Sequence, residues 1–270
     1  MKLLQNSLLV SFIAIFLTPA YNGEEIIGGH AVKPHSRPYM GSFQRDFKKK
    51  YIHHCGGALI KENWVLTAAH CKINIEELKS ARVLLGAHSL TKEEKSKQSL
   101  GIEKQIPHPN FNSKTLINDI MLLKLNKSAK INKYVNLLKL PQGKVKDEKP
   151  RTRCTVAGWG ITNAKSENAS DTLQEVILEV MDRKLCEFSQ CSKPTLEVTK
   201  DMICAGDPKG KKDASRGDSG GPLICKKKYT GIVSYGNNKI IKPGIYTFLS
   251  NKYLAWIKKS IGAVLTKERY

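Results

Sequence analysis

Long apolar runs are almost absent from this 270-residue chain. Residues 8–17 form the one that exists, broken only by Ser11, which excludes a protein that crosses a membrane several times. No internal repeat and no low-complexity block stands out, so a repeat array is not indicated. Acidic residues are scarce. Asp plus Glu total 24 against 45 Lys plus Arg, a formal charge of +21. No cluster with metal-ligand spacing is visible, and residues 87–98 lack a convincing pair of calcium carboxylates. Neither a metal nor another cofactor is expected. What the chain does have is 40% hydrophobic and 26% charged residues, with apolar segments spread along its length. That composition excludes a disordered tail protein and allows one large or two small domains.

The single apolar run reads as a secretory signal. Lys2 precedes it and Pro19-Ala20 follow it, and ten residues fall short of the roughly 20 that a spanning helix needs. The expected compartment is oxidising, so the cysteines read first as disulfides. Seven is an odd number, which leaves at least one over. Removing residues 1–25 takes away Lys2, Glu24 and Glu25, so the mature charge becomes 44 − 22 = +22. Lysines cluster at 48–50, 209–212 and 226–228. Such a surface either binds polyanions or carries solvated lysines, and the composition leaves both open.

Short apolar segments recur at 57–60, 64–68, 82–85, 120–125, 154–157, 173–181, 231–233 and 244–248, bounded by Gly, Asn, Pro and Lys. These are strand-like lengths, and many short strands suggest a β-sandwich or barrel class. Only the tail reads helically: Tyr253, Leu254, Ile257, Ile261, Val264 and Leu265 recur at a spacing of three to four. A polar, Lys-rich stretch at 141–153 reads as a linker between two halves. The expected division is a signal and short acidic propeptide at 1–25, then halves at 26–140 and 141–270.

Three segments carry chemistry. They are Thr67-Ala68-Ala69-His70-Cys71, Asn118-Asp119-Ile120, and Gly217-Asp218-Ser219-Gly220-Gly221-Pro222. A hydroxyl is a poor nucleophile at neutral pH. It needs a base within hydrogen-bond reach, and the base needs an orienting carboxylate. Ser219, His70 and Asp119 supply those three chemistries, in the chain order His, Asp, Ser. Singly, each is a common structural residue; together they point to acyl transfer. The N–H groups of Gly217 and Ser219 can converge on one spot as an oxyanion hole, and the small Gly220 and Gly221 keep that approach open.

With these residues, residues 26–270 resemble the chymotrypsin/trypsin-like serine proteases. The resemblance also rests on Ile26-Ile27-Gly28-Gly29, Cys55-Gly56-Gly57, Met121-Leu122-Leu123, Gly158-Trp159-Gly160, Ser234-Tyr235-Gly236 and Pro243-Gly244-Ile245-Tyr246. Within that family residues 34–40, 85–90 and 198–202 look most like the granzyme A/K branch of granule tryptases. The resemblance implies an all-β fold: two six-stranded antiparallel β-barrels with the active site between them, and a C-terminal helix. It implies that His70 is the general base, Asp119 its orienter and Ser219 the nucleophile. Ser234 matches the serine that supports the aspartate. The 234–236 strand matches the one that pairs with substrate backbone, with Tyr235 where the family usually has Trp.

Specificity and activation follow from the same resemblance. Asp213 matches the floor of the primary pocket, where a buried carboxylate favours a substrate Arg or Lys. Gly236 and Gly244 match its walls, and Arg216 its rim. After cleavage, the new ammonium of Ile26 is expected to insert and pair with Asp218, a switch made by proteolysis. Glu25 precedes Ile26, so a tryptic activator would not cut there. Signal cleavage after Gly23 would leave Glu24-Glu25 for a dipeptidyl peptidase to remove. The expected disulfides are Cys55–Cys71, Cys154–Cys225 and Cys186–Cys204, with Cys191 left over. The family's disulfide beside the active site lacks both ends: Ser215 stands at one, and residues 237–242 hold no cysteine. In the chain-entropy model a loop of about 25 residues forgoes roughly 3–4 kcal/mol this way.

Asn126 and Asn168 head glycosylation sequons. The resulting expectation is a secreted, granule-stored endopeptidase whose partners are protein substrates with Arg or Lys before the cut, a polyanionic proteoglycan and a dipeptidyl peptidase activator. No specific nucleic acid and no membrane span are expected. An extracellular trypsin or mast-cell-type tryptase is the rival enzyme. A cationic, non-catalytic homologue that binds polyanions is the rival of another class.

Overall fold

The computed structural model describes residues 28–162, 169–189, 197–236 and 243–267. A two-residue strand, β1 (His30–Ala31), comes first. β2 (Met40–Phe47), β3 (Lys50–Lys61), β4 (Trp64–Thr67), β5 (Arg82–Leu85), β6 (Gln98–Pro107) and β7 (Met121–Leu125) follow. They close into an antiparallel barrel in the order β2-β3-β4-β7-β6-β5. β8 (Arg153–Gly158), β9 (Gln174–Met181), β10 (Met202–Gly206), β11 (Pro222–Cys225), β12 (Lys228–Tyr235) and β13 (Gly244–Phe248) form the second sheet. Its order is β9-β10-β13-β12-β11-β8, and the β9–β8 pairing closes it into a second six-stranded barrel. Closure satisfies strand edges that would otherwise be open.

Residue type decides which face of each strand goes inward. In β9 the buried positions are Gln174, Val176, Leu178 and Val180, a strict period of two. β7 is buried throughout, and its Lys124 pairs with Glu103 at 2.9 Å rather than lying bare in the core. Phe43, Leu59, Trp64, Leu66, Val83, Leu85 and Leu123 fill the first barrel. Val156, Val176, Leu178, Ile203, Leu223, Tyr246 and Phe248 fill the second.

The two ends of the chain cross over. β1 pairs with β9 of the second barrel, His30 opposite Glu175. The C-terminal helix α3 (Asn251–Lys267) lays Tyr253, Ile257 and Ile261 into the first barrel's core. Each such buried side chain contributes about 1.5–3 kcal/mol, so each barrel is clamped by the far end of the sequence. The stretch before β8 has no regular element; Lys226 holds its Glu148 at 2.9 Å, and Arg183 holds its Asp147.

Two helices depart from the expectation that only the tail is helical: α1 (Ile75–Ser80) and α2 (Arg183–Ser189). α1 is too short to show a period. Its start is set by Asn74, whose side chain accepts from the Glu77 N–H at 2.8 Å. β2 and β6 also gave no apolar run, because β2 buries the polar Ser42 and Gln44 and β6 alternates irregularly.

Candidate active site

The site begins where β4 ends. A tight helical turn, Ala69–Cys71, follows Thr67 and lifts His70 out of the core, and the Cys55–Cys71 disulfide ties the turn to β3. Asp119 immediately precedes β7 and is wholly buried. Its Oδ1 accepts from the His70 N–H at 2.9 Å, and its Oδ2 accepts from His70 Nδ1 at 2.7 Å and from the Ser234 hydroxyl at 2.5 Å. Three donors on one buried carboxylate keep it from being stranded. Because His70 Nδ1 donates to Asp119, Nε2 is left as the acceptor on the partly open side of the ring. Around Asp119 the backbone is held as well. Its carbonyl accepts from Thr247 Oγ1 at 2.7 Å. The preceding Asn118, at φ +61°, accepts from Lys252 Nζ at 2.7 Å and Tyr253 OH at 3.1 Å.

The Ser219 turn is best understood by asking where its N–H groups go. Asp218 N–H donates to the Ser215 carbonyl, Gly220 N–H to Val233 and Gly221 N–H to Asp218. The N–H groups of Gly217 and Ser219 donate to nothing among the described residues. A pair of free, neighbouring N–H groups on a turn is what an oxyanion site requires. Glycine is needed here for stated reasons. Gly217 has φ +101°, and a Cβ at Gly220 (φ +80°) would lie 2.0 Å from Thr67 Oγ1. The turn is thereby pressed against the strand that carries His70. The Ser219 carbonyl accepts from Gly56 N–H at 2.8 Å, which seats the serine beside β3.

His53 pins the turn from behind. Its Nε2 donates to the Gly217 carbonyl at 2.8 Å, so its Nδ1 accepts from the Ser42 hydroxyl at 2.7 Å. Burial holds its pKa down to about 4, with the Gly217 bond acting the other way and His54 adding to the lowering. It is a neutral strut at physiological pH.

Asp218 is fully buried behind the same turn. It accepts from Gly160 N–H at 2.9 Å and from Ser215 N–H at 2.7 Å. Burial still raises its pKa to about 6, the mark of a carboxylate with donors but no cation among the described residues. A Cβ at Gly158 would lie 2.1 Å from its Oδ1, and one at Gly160 2.5 Å from its Oδ2. Ile26 lies outside the described residues. The chain at Gly28 already runs against Lys211, where a Cβ would come within 2.6 Å of the carbonyl.

Asp213 is 2% exposed, and neither carboxylate oxygen has a hydrogen-bond partner among the described residues. Burial drives its pKa up to about 8; the Ala214 N–H beside it acts the other way without reaching hydrogen-bond geometry, and Asp218 raises it further. Gly244 stands directly over it: a Cβ there would lie 3.6 Å from Asp213 Oδ1 and 3.4 Å from Tyr246 OH. A Cβ at Gly236 would lie 3.7 Å from the Ala214 carbonyl oxygen. The structure therefore brings Asp213, Gly236 and Gly244 together at the end of β12. Tyr235 sits half-buried there, and Arg216 is exposed, its carbonyl accepting from Ile161 N–H at 2.8 Å.

All three expected disulfides are present: Cys55–Cys71, Cys154–Cys225 and Cys186–Cys204. Cys191, Asn168 and residues 237–242 lie outside the described residues, and Asn126 is exposed. In place of the missing disulfide, the Ser215 hydroxyl donates to the Ile161 carbonyl and lies 3.3 Å from Asp218 Oδ2. Sequence reasoning had not found the roles of Ser42, His53, Thr247, Gly158 or Ser215. Of these, Gly158 lies inside the motif Gly158-Trp159-Gly160, and Ser215 had been noted only as standing where a family cysteine is missing. No helix among the described residues is long and apolar enough to cross a membrane.

Comparison with known proteins agrees with this geometry. Residues 26–257 match the family model described as Trypsin. The chain is 48% identical to granzyme B of Rattus norvegicus, covering 94% of this chain and 98% of that one. It is 44% identical to granzyme A of Bos taurus, covering 90% of each, and 44% identical to mast cell protease 3 of Ovis aries, covering 92% and 94%. A solved structure described as that of GrC superposes with a TM-score of 0.78 at 40% identity, over 88% of this chain and all of the other. The chain belongs to the trypsin family of serine proteases.

Proposed function

We propose that this protease is a secreted endopeptidase that cuts after Arg or Lys. The observation that carries the specificity is Asp213: a carboxyl group buried without a hydrogen-bond partner among the described residues, with glycine rather than a side chain at position 244 beside it. Such a group is costly in an empty site and is relieved when a guanidinium or ammonium enters. His70, Asp119 and Ser219 carry the reaction. His70 Nε2 takes the proton from Ser219 Oγ as that oxygen bonds to the substrate carbonyl carbon. The carbonyl oxygen becomes an oxyanion, received by the N–H groups of Gly217 and Ser219. Collapse expels the leaving amine, which takes the proton from His70. A water then repeats the sequence on the acyl-enzyme, giving a free carboxylic acid and restoring Ser219.

Activation by removal of Glu24-Glu25 fits this reading. The Ile26 ammonium would then neutralise Asp218, whose buried carboxylate has two N–H donors already in place. Storage in granules with an anionic proteoglycan, as the resemblance to granzyme A and K suggests, fits the mature charge of +22.

The test is a set of short amide substrates that differ only in the residue before the cut: Arg, Lys, Phe, Ala and Asp. Preference for Arg and Lys by at least about a hundredfold, abolished in Ser219→Ala, supports the reading. Preference for Phe or Asp would assign Asp213 another role. A covalent phosphonate probe with a basic side chain that fails to label Ser219 would favour the non-catalytic polyanion binder.

A further inference from the structure

The C-terminal helix opens with a residue that local rules place badly. Lys252 is the second residue of α3, and the first turn holds no acidic side chain. The N-terminal end of a helix carries partial positive charge and disfavours a cation. A local rule broken without local gain points to a partner elsewhere in the fold. The partners of Lys252 lie outside the helix. Its Nζ donates to Asn118 Oδ1 at 2.7 Å and lies 3.3 Å from Asp201 Oδ2. The Tyr253 ring, 5.1 Å from Nζ, also faces it. So does His108, edge-on to that ring; burial and then Lys252 lower its pKa, and Asp201 acts the other way.

The two polar partners belong to different barrels. Asp201 stands directly before β10 of the second barrel. Its carbonyl accepts from Phe248 N–H at 2.9 Å and its Oδ1 from the Ser250 hydroxyl at 2.8 Å, which fixes it to the end of β13. Asn118 leads into β7 of the first barrel. One ammonium therefore bridges the barrels. The Lys252–Asp201 pair is half exposed on the lysine side, and such a pair contributes little by itself. The contact with Asn118 is of another kind. That residue is buried, the bond is short, and its donor is charged.

The Asn118 side chain is held at both ends. Lys252 can only donate, so Oδ1 faces it; the Asn110 carbonyl can only accept, so Nδ2 faces that, at 2.7 Å. Tyr253 OH adds a second bond to Oδ1 at 3.1 Å. The Asn118 backbone sits at φ +61°, a region that L residues avoid and Asn tolerates better than most. Ile120 N–H returns to the Asn118 carbonyl at 2.8 Å, so the chain reverses tightly around Asp119. The direction in which Asp119 leaves this turn sets its carboxylate, which serves His70 N–H, His70 Nδ1 and Ser234 at once. His70 comes from the first barrel, and Ser234 from the second. A bridge between the barrels at the neighbouring residue registers Asp119 to both.

We propose that Lys252 is a positioning residue for the reaction: its ammonium locks the Asn118 side chain, and the locked turn aims Asp119 at His70. The kinetic part of the test rests on the endopeptidase reading, and the spectroscopic part does not.

The experiment compares Lys252→Met, Lys252→Arg and Asn118→Gly in the mature form. Met keeps an unbranched stem and loses the donor. Arg keeps charge and donors. Gly keeps the left-handed backbone and loses the amide. On an amide substrate with Arg before the cut, Lys252→Met should lower kcat about tenfold with KM unchanged, because misaimed groups lose rate rather than ground-state binding. Lys252→Arg should restore most of the rate. Asn118→Gly should show a similar loss, and adding Lys252→Met to it should lower the rate no further. The proton that His70 Nδ1 shares with Asp119 gives a far-downfield NMR line when that bond is strong. In Ser219→Ala the line should move upfield or broaden with Lys252→Met and return with Lys252→Arg. Unchanged kcat in Lys252→Met overturns the proposal. So does a loss that Arg does not restore, that persists in the Asn118→Gly background, or that leaves the NMR line in place, as the loss of a merely structural lysine would. If the native enzyme cleaves no Arg substrate, the endopeptidase reading falls instead, and the NMR line in Ser219→Ala still decides whether Lys252 aims Asp119.

Discussion

Ligand binding in the Asp213 pocket should depend on pH in a way the structure makes quantitative. Burial without a hydrogen-bond partner among the described residues places the carboxyl pKa at about 8, against 3.8 for a free aspartate. Below pH 8 the empty pocket therefore holds a neutral acid. A cationic ligand needs the carboxylate, so each pH unit below 8 weakens binding about tenfold, or 1.36 kcal/mol. A small aromatic amidine should bind Ser219→Ala about a hundredfold more weakly at pH 6 than at pH 9. The weakening should level off above 8. Calorimetry at pH 6.5 in two buffers of different ionisation enthalpy should count close to one proton released per ligand bound. The sign for folding is the reverse. A raised folded pKa gives stability that is complete below about pH 4 and is lost as pH rises towards 8. Asp213→Asn should therefore gain in melting temperature over the native protein progressively between pH 4 and 8, while losing amidine binding at all pH values. Affinity that stays flat from pH 6 to 9 would refute the reasoning, because it would mean that the empty pocket already holds an ionised, solvated carboxylate.

Other expectations follow from single groups. The form beginning at Glu24 should be inactive on Arg substrates, and dipeptidyl peptidase treatment should switch it on; equal activity of the Glu24 and Ile26 forms would remove Asp218 from the activation step. Asp213→Ser should lower kcat/KM for Arg and Lys substrates at least about a hundredfold, while burst acylation by an uncharged activated ester still titrates Ser219. Ser215→Ala should cost about 1–2 kcal/mol in denaturant unfolding, because it leaves the Ile161 carbonyl without its donor. Retention of the mature form on heparin should fall steeply as salt rises, linearly on a log–log plot; elution near physiological salt would mean that the lysines are only solvated.

Much of this protein was legible in one dimension. The strand segments at 64–68, 82–85, 120–125, 154–157, 173–181 and 244–248 show themselves because burial on a sheet selects apolar residues over short, evenly bounded stretches. The helical period of the tail was equally plain, and α3 spans it. His70, Asp119 and Ser219 were readable because reactive side chains are few in type, and His70 and Ser219 sit in alanine- and glycine-rich contexts that leave room for close approach. What the sequence could not determine is what arises from distant residues meeting. Nothing local says that β1 joins the second barrel or that α3 packs on the first. α1 stayed hidden because six residues are fewer than two helical turns. Ser42 and His53 look like ordinary strand residues until the fold sets them behind the Gly217 carbonyl. Asp213 was nameable as a pocket residue, but its protonation was not, because a pKa depends on which donors and how much water the folded chain leaves around the carboxyl. The sequence by itself determined the chemistry at hand. Tertiary structure decided its electrostatics, because charge is tuned by neighbours that lie far away along the chain and close in space.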